Sequence, residues 1–326
     1  MKRRIISLLL ILSMLVSLFL LTSCGTSTYM TVGGQKVSYD LVKSFVRNHT
    51  SAYTEEELKD EALREELREK ILKDLRMTFV ILAVAEELSV KMTPAAKANM
   101  KEELEFYQSL GDDYDRHLEA QFATEKVFKK LLEISAYDNL VFDAITDGAA
   151  LKGEGDRFAA SVEQIEADLD SGNWYAAEYI VLQYDDVNKS VRKTDLEKAR
   201  EAILSGKTLT VATSDVKKKY LSETVVATEH AFTSLEYSED FENAVKALEV
   251  GEVSEIIESY TAEGNPCFML VRRLELSRSY INESYYDEVV SKYLAREYAL
   301  YMTAKAETLD VVIAKKYSDT DLLDIE

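Results

Sequence analysis

The sequence is poor in the residues that most often hold metals and cofactors, with 2 cysteines and 3 histidines among 326 residues. It contains no zinc-ligand spacing, no Ser-His-Asp set and no phosphate-binding loop. The acidic runs 112–115 (DDYD) and 319–324 (DTDLLD) lack the glycine and glutamate spacing of a calcium loop, so we interpret them as solvated. We therefore expect neither a cofactor nor a bound metal.

Positive charge is scarce as well. The chain has 39 lysines and arginines against 59 aspartates and glutamates, which gives a formal net charge of −20. Because nucleic-acid binding requires clustered lysine and arginine, we exclude that class of partner. The composition, 47% hydrophobic and 30% charged, is that of a folded protein, and the length fits two domains.

One long hydrophobic run is present, and it lies at the N-terminus. Basic residues at 2–4 precede an uncharged apolar stretch, Ile5–Leu21, as in a secretion signal. The next residues, Leu-Thr-Ser-Cys at 21–24, resemble the bacterial lipobox. That resemblance implies cleavage of residues 1–23, diacylation of Cys24 and a short tether at 24–28. The alternative is an uncleaved membrane helix; both place the bulk of the chain outside the cytoplasmic membrane.

If Cys24 carries lipid, Cys267 is the one cysteine left in the mature chain, and an internal disulfide is excluded. Cys267 opens the apolar run CFMLV and has no histidine or basic residue beside it. We therefore interpret it as a small buried hydrophobic residue rather than a nucleophile.

Helical patterns dominate residues 29–150. A hairpin is predicted around Gly33-Gly34, followed by a helix from Tyr39 to about Asn48. Thr54–Glu57 has capping-box spacing and predicts the start of a long amphipathic helix. Its apolar stripe comprises Leu63, Leu67, Ile71, Leu75, Phe79 and Leu82. Thr93-Pro94 predicts the next helix, a third is expected over 114–147, and 147–155 (DGAALKGEG) is typical of a domain boundary.

The spacing of apolar residues changes from a helical to a strand-like period after Trp174. The run AAEYIVLQY predicts a strand, Thr194–Glu197 a second capping box, and 252–260 and 267–274 two further strands. From Ser284 to about Lys316 the pattern is helical again. The predicted fold class is α+β, mainly helical at the N-terminus, with a small α/β domain and a returning C-terminal helix.

This layout resembles the secreted foldase lipoproteins of the PrsA and SurA type, which carry a parvulin (PpiC-type) peptidyl-prolyl isomerase domain between helical segments. The more specific match is 241–248 (FENAVKAL) followed by Gly-Glu-Val-Ser at 251–254, together with Gly264 and the strand 268–271 (FMLV). The resemblance implies a helical domain at 29–150, a parvulin-like domain at 172–277, and a C-terminal helix at 282–318 that packs on the N-terminal domain.

The parvulin-like part departs from the family pattern where the chemistry would lie. Tyr179 stands where the first strand of the family has its pocket histidine, and the second histidine is missing near Phe268. The Gly-rich loop of the family is replaced by 226–232 (VATEHAF), so we expect His230 in a solvated loop. The candidate pocket residues are Tyr179, His230, Phe232, Phe241, Phe268 and Met269.

A prolyl isomerase breaks no bond but needs an apolar cup for the proline ring and polar groups that favour the twisted amide. Without the paired histidines, the resemblance implies a degenerate domain in a membrane-anchored foldase or chaperone that binds unfolded exported polypeptides. Two alternatives stay open, an active parvulin-type isomerase and a non-catalytic scaffold or ligand-binding lipoprotein. The oligomeric state is also open, with a homodimer among the alternatives.

Overall fold

The sheet of the N-terminal region begins with the predicted hairpin, formed by β1 (Thr28–Val32) and β2 (Gln35–Ser38). Gly33 and Gly34 have φ angles of 54° and 79°, values that side chains disfavour and a tight hairpin turn requires. A third strand, β7 (Val311–Ile313), comes from the far end of the chain and pairs antiparallel with β1, which gives the order β2-β1-β7. The N-terminal sheet is therefore completed by C-terminal residues.

In this computed structural model the described residues are 27–146, 158–261 and 264–325. The chain divides into a first unit, residues 1–150 with 301–326, and a second unit, residues 151–300. The predicted signal segment (1–23), Cys24 and the predicted boundary at 147–155 lie outside the described residues. Within the described part, we find no helix with both the length and the apolar composition needed to cross a bilayer.

The helices of the first unit follow the hairpin in order: α1 (Tyr39–Thr50), α2 (Glu61–Glu87), α3 (Pro94–Ser109), α4 (Asp112–Ala120) and α5 (Glu125–Thr146). Ser38 caps α1 by accepting a hydrogen bond from the Leu41 N–H at 3.3 Å, and Thr93 caps α3 in the same way, with Pro94 as the first helical residue. Local sequence thus sets where these two helices begin.

Two helix boundaries differ from the sequence prediction. The Thr54–Glu57 capping box forms, but it closes on a 3₁₀ turn, Glu57–Lys59, and α2 begins only after Asp60, whose carboxylate is its N-cap. The helix expected over 114–147 is two helices, because the chain turns at Phe122 (φ 47°) and Thr124 caps α5. The sequence prediction differs at both boundaries because a second capping residue, Asp60 or Thr124, lies nearby.

The predicted stripe of α2 forms the centre of the first core. Leu67, Ile71, Leu75 and Phe79 are buried, while Leu63 is partly exposed at the helix start. The residues that pack with them come from the sheet, from α5 and from the C-terminus, and they include Tyr29, Met30, Val32, Val127, Ile134, Leu322 and Ile325. This core therefore depends on residues almost 300 positions apart in sequence.

The second unit contains a four-stranded antiparallel sheet of order β4-β3-β6-β5, built from β3 (Tyr175–Gln183), β4 (Thr224–Phe232), β5 (Ile257–Tyr260) and β6 (Pro266–Leu274). Strand β4 was expected as a loop. It is an edge strand that pairs with β3 alone within this sheet, so much of it stays partly exposed and its apolar pattern is weak.

Helices cover both faces of this sheet. They are α6 (Val162–Leu169), α7 (Lys189–Leu204), α8 (Leu209–Ala212), α9 (Ser214–Lys219) and α10 (Glu239–Ala247), followed by α11 (Arg278–Tyr280) and a π-helical turn, Ile281–Tyr285. Thr194 was predicted to cap a helix, but it lies inside α7 and its hydroxyl donates to the Ser190 carbonyl at 3.0 Å. Leu196 of α7 packs on one face and Phe241 of α10 on the other.

The last helix, α12 (Tyr286–Glu307), crosses the division between the units at residues 300 and 301. Val289 and Tyr293 pack with Ile165 and Trp174 in the core of the second unit. The expectation was one helix over 282–318 packed on the N-terminal domain. The expected extent is wrong, because the helix ends at Glu307, before β7 and the turns of the C-terminus, and its first half packs within the second unit. Residues 301–307 of α12 group with the first unit, and their packing on the N-terminal domain stays a prediction.

Candidate functional site

Four of the predicted pocket residues meet on one face of the second sheet. Tyr179 of β3, Phe232 of β4, Met269 of β6 and Phe241 of α10 belong to one apolar cluster. The ring centroids of Tyr179 and Phe241 are 5.1 Å apart, and those of Phe232 and Phe241 are 5.5 Å apart. These distances are typical of aromatic rings in contact.

A fourth ring, not predicted from the sequence, joins the three of Tyr179, Phe232 and Phe241. Tyr237 lies between β4 and α10, with its ring centroid 4.6 Å from Phe241 and 5.2 Å from Phe232. We call Tyr179, Phe232, Tyr237 and Phe241 the aromatic cluster. Phe232, Phe241 and Met269 are only 1%, 2% and 5% exposed, so the side chains that a proline cup would use pack on one another. Tyr237 lies outside every strand and helix, where no periodic pattern marks it.

Phe268 and His230 do not join this cluster. Side chains alternate along a strand, so Phe268 faces α7, stacks on Tyr184 at 4.4 Å and packs with Ile180. The residue of β6 directly opposite Tyr179 is Val271. His230 lies in strand β4, not in a loop, and is half-buried with its ring 4.3 Å from that of Tyr280. The expected positions are therefore wrong for both side chains. Phe268 lies on the opposite face of the sheet from the aromatic cluster, and His230 lies in a strand rather than a loop.

A polar network adjoins the aromatic cluster. The ring centroids of Tyr237 and Tyr179 are 6.1 Å apart, and burial, followed by smaller effects that include the charge of Glu229, raises the pKa of both tyrosines. Lys292 of α12 lies 3.1 Å from Glu229 and 3.0 Å from Glu236, and donates to the Ala231 carbonyl at 2.9 Å. Burial lowers the pKa of Lys292, but the hydrogen bonds and charges of Glu236 and Glu229 outweigh it, and the net shift is upward. Lys292 therefore remains a cation and ties α12 to β4.

Cys267 lies on the same face of β6 as the aromatic cluster. It is 1% exposed, and burial raises the pKa of its thiol to about 11. A thiol held in its protonated form is a poor nucleophile. The side chain acts as a small apolar residue of the core, as its sequence context predicts.

The first unit contains an open apolar region that the sequence did not predict. Two adjoining cavities of about 430 Å³ and 490 Å³ share four lining residues, Phe45, Asp74, Leu131 and Ser135. We call the pair of cavities the groove. Phe45 of α1 and Leu131 of α5 are only partly buried against the core below. Apolar patterns of single helices cannot reveal such a site, because it forms in a gap between four helices, α1, α2, α4 and α5.

Apolar side chains extend the groove on both sides of these shared residues. Phe128 and Leu132 line the first cavity, while Met77, Ile81 and Ile134 line the second. Charged or titratable groups are few among the described lining residues, and they are His49, Asp74, His117 and Asp138. A surface of this kind suits apolar side chains of a ligand better than a polar metabolite.

One wall of the groove is fixed by hydrogen bonds and ring contacts. The Ser44 hydroxyl and the Asn48 amide both donate to the Gln121 carbonyl, at 2.9 Å and 3.0 Å. Phe128 of α5 lies 5.0 Å from Tyr107 of α3, which holds α3 against α5 although none of the side chains of α3 is fully buried. The groove is therefore a preformed feature. One side of it is bounded by residues 94–122, which we call the α3–α4 arm.

The α3–α4 arm also presents apolar side chains to solvent. Phe106, Leu110 and Phe122 are among the large hydrophobic residues that remain exposed. Isolated exposed apolar residues are ordinary, but several on one arm beside an apolar groove are typical of a surface that binds other chains.

Comparison with known proteins found similarity to solved structures alone. The foldase PrsA of Lactococcus lactis has 14% identity and a TM-score of 0.33, and the match covers 89% of this chain and 96% of that one. PrsA of Streptococcus pneumoniae has 17% identity and a TM-score of 0.32, with 86% and 92% covered. One of the two SurA-like chaperones PEB4 and Cj1289 of Campylobacter jejuni has 11% identity and a TM-score of 0.32, with 89% and 99% covered. No family model and no curated protein matches the chain. These three similar structures are two PrsA foldases and one SurA-like chaperone.

Proposed function

We propose that this protein is an extracytoplasmic, membrane-anchored chaperone of exported polypeptides, with an isomerase-like domain that does not catalyse. The observation that carries the proposal is the open apolar groove of the first unit. Its two cavities, about 430 Å³ and 490 Å³, each have room for one or two apolar side chains. An unfolded segment exposes such side chains, whereas a folded protein buries them.

The chemistry of the groove fits a binder with many clients. Met77 lines the second cavity, and an unbranched thioether adapts to ligands of different shape. Phe45, Leu131 and Ile81 supply apolar contact that excludes water without demanding a particular partner geometry. Binding of this kind slows aggregation by covering the surfaces through which unfolded chains associate.

Membrane attachment through Cys24 is the second part of the proposal. It is supported by the basic residues at 2–4, the apolar stretch Ile5–Leu21 and the sequence LTSC. Two acyl chains on one residue suffice for stable anchoring. Mass spectrometry of protein from the native membrane is expected to find an acylated Cys24 as the first residue. An intact Met1, or cleavage elsewhere, would contradict this part.

The absence of catalysis is the third part. A parvulin-type site needs an apolar cup, and the side chains that would form it, Phe232, Phe241 and Met269, are almost fully buried against one another. Tyr179 provides a phenol where the family has an imidazole, and a phenol offers one donor rather than two ring nitrogens. Both observations support a domain that retains the fold and has lost the reaction.

The central test measures aggregation of an unfolded client protein with and without the purified chain. We expect the wild type to slow aggregation and the Phe45→Asp and Met77→Asp variants, which place a carboxylate in the groove, to lose most of this effect. The matched control is Val187→Asp, because Val187 is exposed in the second unit, outside the groove. If the groove variants slow aggregation as well as the wild type, the groove is not the client site. If the wild type has no effect, a scaffold or ligand-binding role without clients is favoured.

One observation favours the second candidate, an active prolyl isomerase. The phenols of Tyr237 and Tyr179, whose ring centroids are 6.1 Å apart, and the carboxylate of Glu229, whose charge adds to the effect of burial in raising the pKa of both, lie together at the aromatic cluster. Such a set supplies polar groups without histidine. A cis–trans assay on X–Pro peptides separates the candidates: activity in the wild type that Tyr237→Phe abolishes would establish catalysis.

A further inference from the structure

The two cavities of the groove meet at an aromatic ring and a carboxylate. Phe45 and Asp74 line both cavities, together with Leu131 and Ser135. The Asp74 side chain is 49% exposed, and one of its oxygens lies 2.8 Å from the His49 imidazole. A ligand that fills both cavities must pass this junction.

The charges around the junction have one sign. Among the described residues that line either cavity there is no lysine and no arginine, while Asp74 and Asp138 are acidic. The other titratable lining groups are the imidazoles of His49 and His117. The chain as a whole carries a formal net charge of −20, so its field also attracts cations and repels anions.

We propose that the groove selects extended apolar segments that carry an arginine or lysine, with the cation at Asp74 and apolar side chains in the cavities on either side. This inference rests on the proposed client-binding function and names its substrate class. A carboxylate pairs with the cation directly, and the neighbouring Phe45 ring adds attraction for a positive charge above its face. Arginine suits the junction best, because its planar group stacks on a ring while it hydrogen-bonds to a carboxylate.

The test uses fluorescent peptides of one apolar sequence that differ only at the central residue, which is arginine, lysine, citrulline or glutamate. Dissociation constants are measured by fluorescence polarisation. We expect arginine and lysine to bind up to about fivefold more tightly than citrulline, the size of one exposed ion pair, and glutamate to bind most weakly. The preference should shrink at high salt, because exposed charges are screened.

Three variants locate the effect. Asp74→Asn is expected to remove most of the preference for the arginine and lysine peptides over the citrulline peptide, and Asp74→Glu is expected to retain that preference. The matched control is Asp143→Asn, which removes an exposed carboxylate from α5 outside the lining of either cavity. Thermal melting checks that all three variants fold.

The outcomes separate this inference from the function on which it rests. Equal binding of the arginine, citrulline and glutamate peptides would overturn charge selection and leave the client-binding groove intact. Loss of the preference in Asp143→Asn as large as in Asp74→Asn would overturn the assignment to the junction, since the general negative field would then explain it. If none of the peptides binds, the proposed function itself fails.

Discussion

The aromatic cluster of the second unit and the groove of the first are made of similar residues but end in opposite states. In the cluster, α10 lies over the sheet and the Tyr237 and Phe241 rings are 4.6 Å apart, so the face is filled. In the groove, Phe45 and Leu131 stay partly exposed beside cavities of about 430 Å³ and 490 Å³. The family resemblance points to the aromatic cluster as the functional site, whereas the open apolar surface lies in the groove.

The difference shows where hydrophobic free energy is used. Burial of the cluster stabilises the folded second unit, because each large apolar side chain removed from water contributes about 1.5–3 kcal/mol. In the groove the same kind of surface remains hydrated in the free protein and is available to a ligand. Variants of each region test whether the aromatic cluster behaves as a core and the groove as a binding surface.

The largest effect is expected from removal of residues 308–326. The deletion removes β7 and the buried Leu322 and Ile325 from the core beneath the groove. Those two side chains alone account for about 3–6 kcal/mol of unfolding free energy. We expect the helices of the first unit to unfold at much lower denaturant concentration, measured by far-UV circular dichroism, with loss of client binding.

The control for this deletion is Val312→Ser, which changes an exposed residue of the same segment and should cost less than about 0.5 kcal/mol. Trp174, the single tryptophan, is buried in the second unit, so its fluorescence reports on that unit separately. Retention of wild-type stability and client binding after the deletion would show that the first unit does not need its C-terminal strand.

The second prediction concerns the aromatic cluster. Phe241→Ala removes a buried ring that contacts Tyr179, Phe232 and Tyr237, and we expect it to destabilise the second unit by about 3–5 kcal/mol. The measurement is denaturant unfolding followed by Trp174 fluorescence, with Leu221→Ala as the exposed control. Client binding by the groove should persist at low denaturant. A cost below about 1 kcal/mol would indicate a face that is open or plastic, and the contrast between the two regions would fail.

The third prediction concerns an ion-pair cluster that joins α2 to the C-terminus. Asp321 accepts hydrogen bonds from Arg68, at 3.1 Å for the Nε atom, and pairs with Arg64 at 2.9 Å. The hydrogen bond from Arg68 is the largest cause that lowers the pKa of the Asp321 carboxyl, with Arg64 and the Leu323 N–H adding to it. We expect Asp321→Asn to cost about 1–3 kcal/mol at pH 7.

The pH dependence of this contribution has a definite sign. Because the carboxyl has a lower pKa in the folded state than its ordinary value of about 3.9, the unfolded chain takes up the proton first as the pH falls. The stabilisation by Asp321 is therefore complete above about pH 5 and declines below pH 4. The difference in unfolding free energy between wild type and Asp321→Asn should narrow between about pH 5 and pH 3, and the curves should converge only well below pH 3, where the folded-state carboxyl takes up its proton. A difference that stays constant from pH 7 to pH 3 would rule out the ion pairs as its source.

Sequence reasoning succeeded where a pattern is local. The hairpin at Gly33-Gly34, the helix start at Tyr39, the cap at Thr93 and the buried stripe of α2 follow from turn chemistry, capping and a period of 3.6. These signals need no knowledge of distant residues. The α+β class and the two central strands, β3 and β6, were predicted for the same reason.

It failed where the outcome depends on partners far apart in sequence. Asp321 was interpreted as solvated, because nothing in the run DTDLLD shows that Arg64 and Arg68 lie beside it. Strand β4 was missed because an edge strand needs little apolar alternation. The groove was missed because a gap between helices leaves no trace in any one of them.

The smallest effect is expected from placing histidine on the isomerase-like face. We predict that this change produces no gain in isomerase activity. Phe268→His would not serve, because that side chain faces α7 and Ile180, and it would bury an unpaired imidazole. The position that faces the same side as Tyr179 from β6 is Val271, directly opposite in the register. The pair Tyr179→His and Val271→His is therefore the appropriate double variant.

We expect neither Tyr179→His nor the double variant to accelerate the slow, roughly tens-of-seconds isomerisation of X–Pro peptides, because the packed rings of Phe241 and Tyr237 fill this face of the sheet. The control is Val225→His, which adds an imidazole at an exposed position of β4. Trp174 fluorescence verifies that each variant is folded. Acceleration of about 100-fold or more in the double variant alone, the range of a positioned acid–base group, would mean that the cup is open and only its histidines are missing. In that case the aromatic cluster would not fill the proline-binding face, and the second unit would be an isomerase domain that lacks only its histidines.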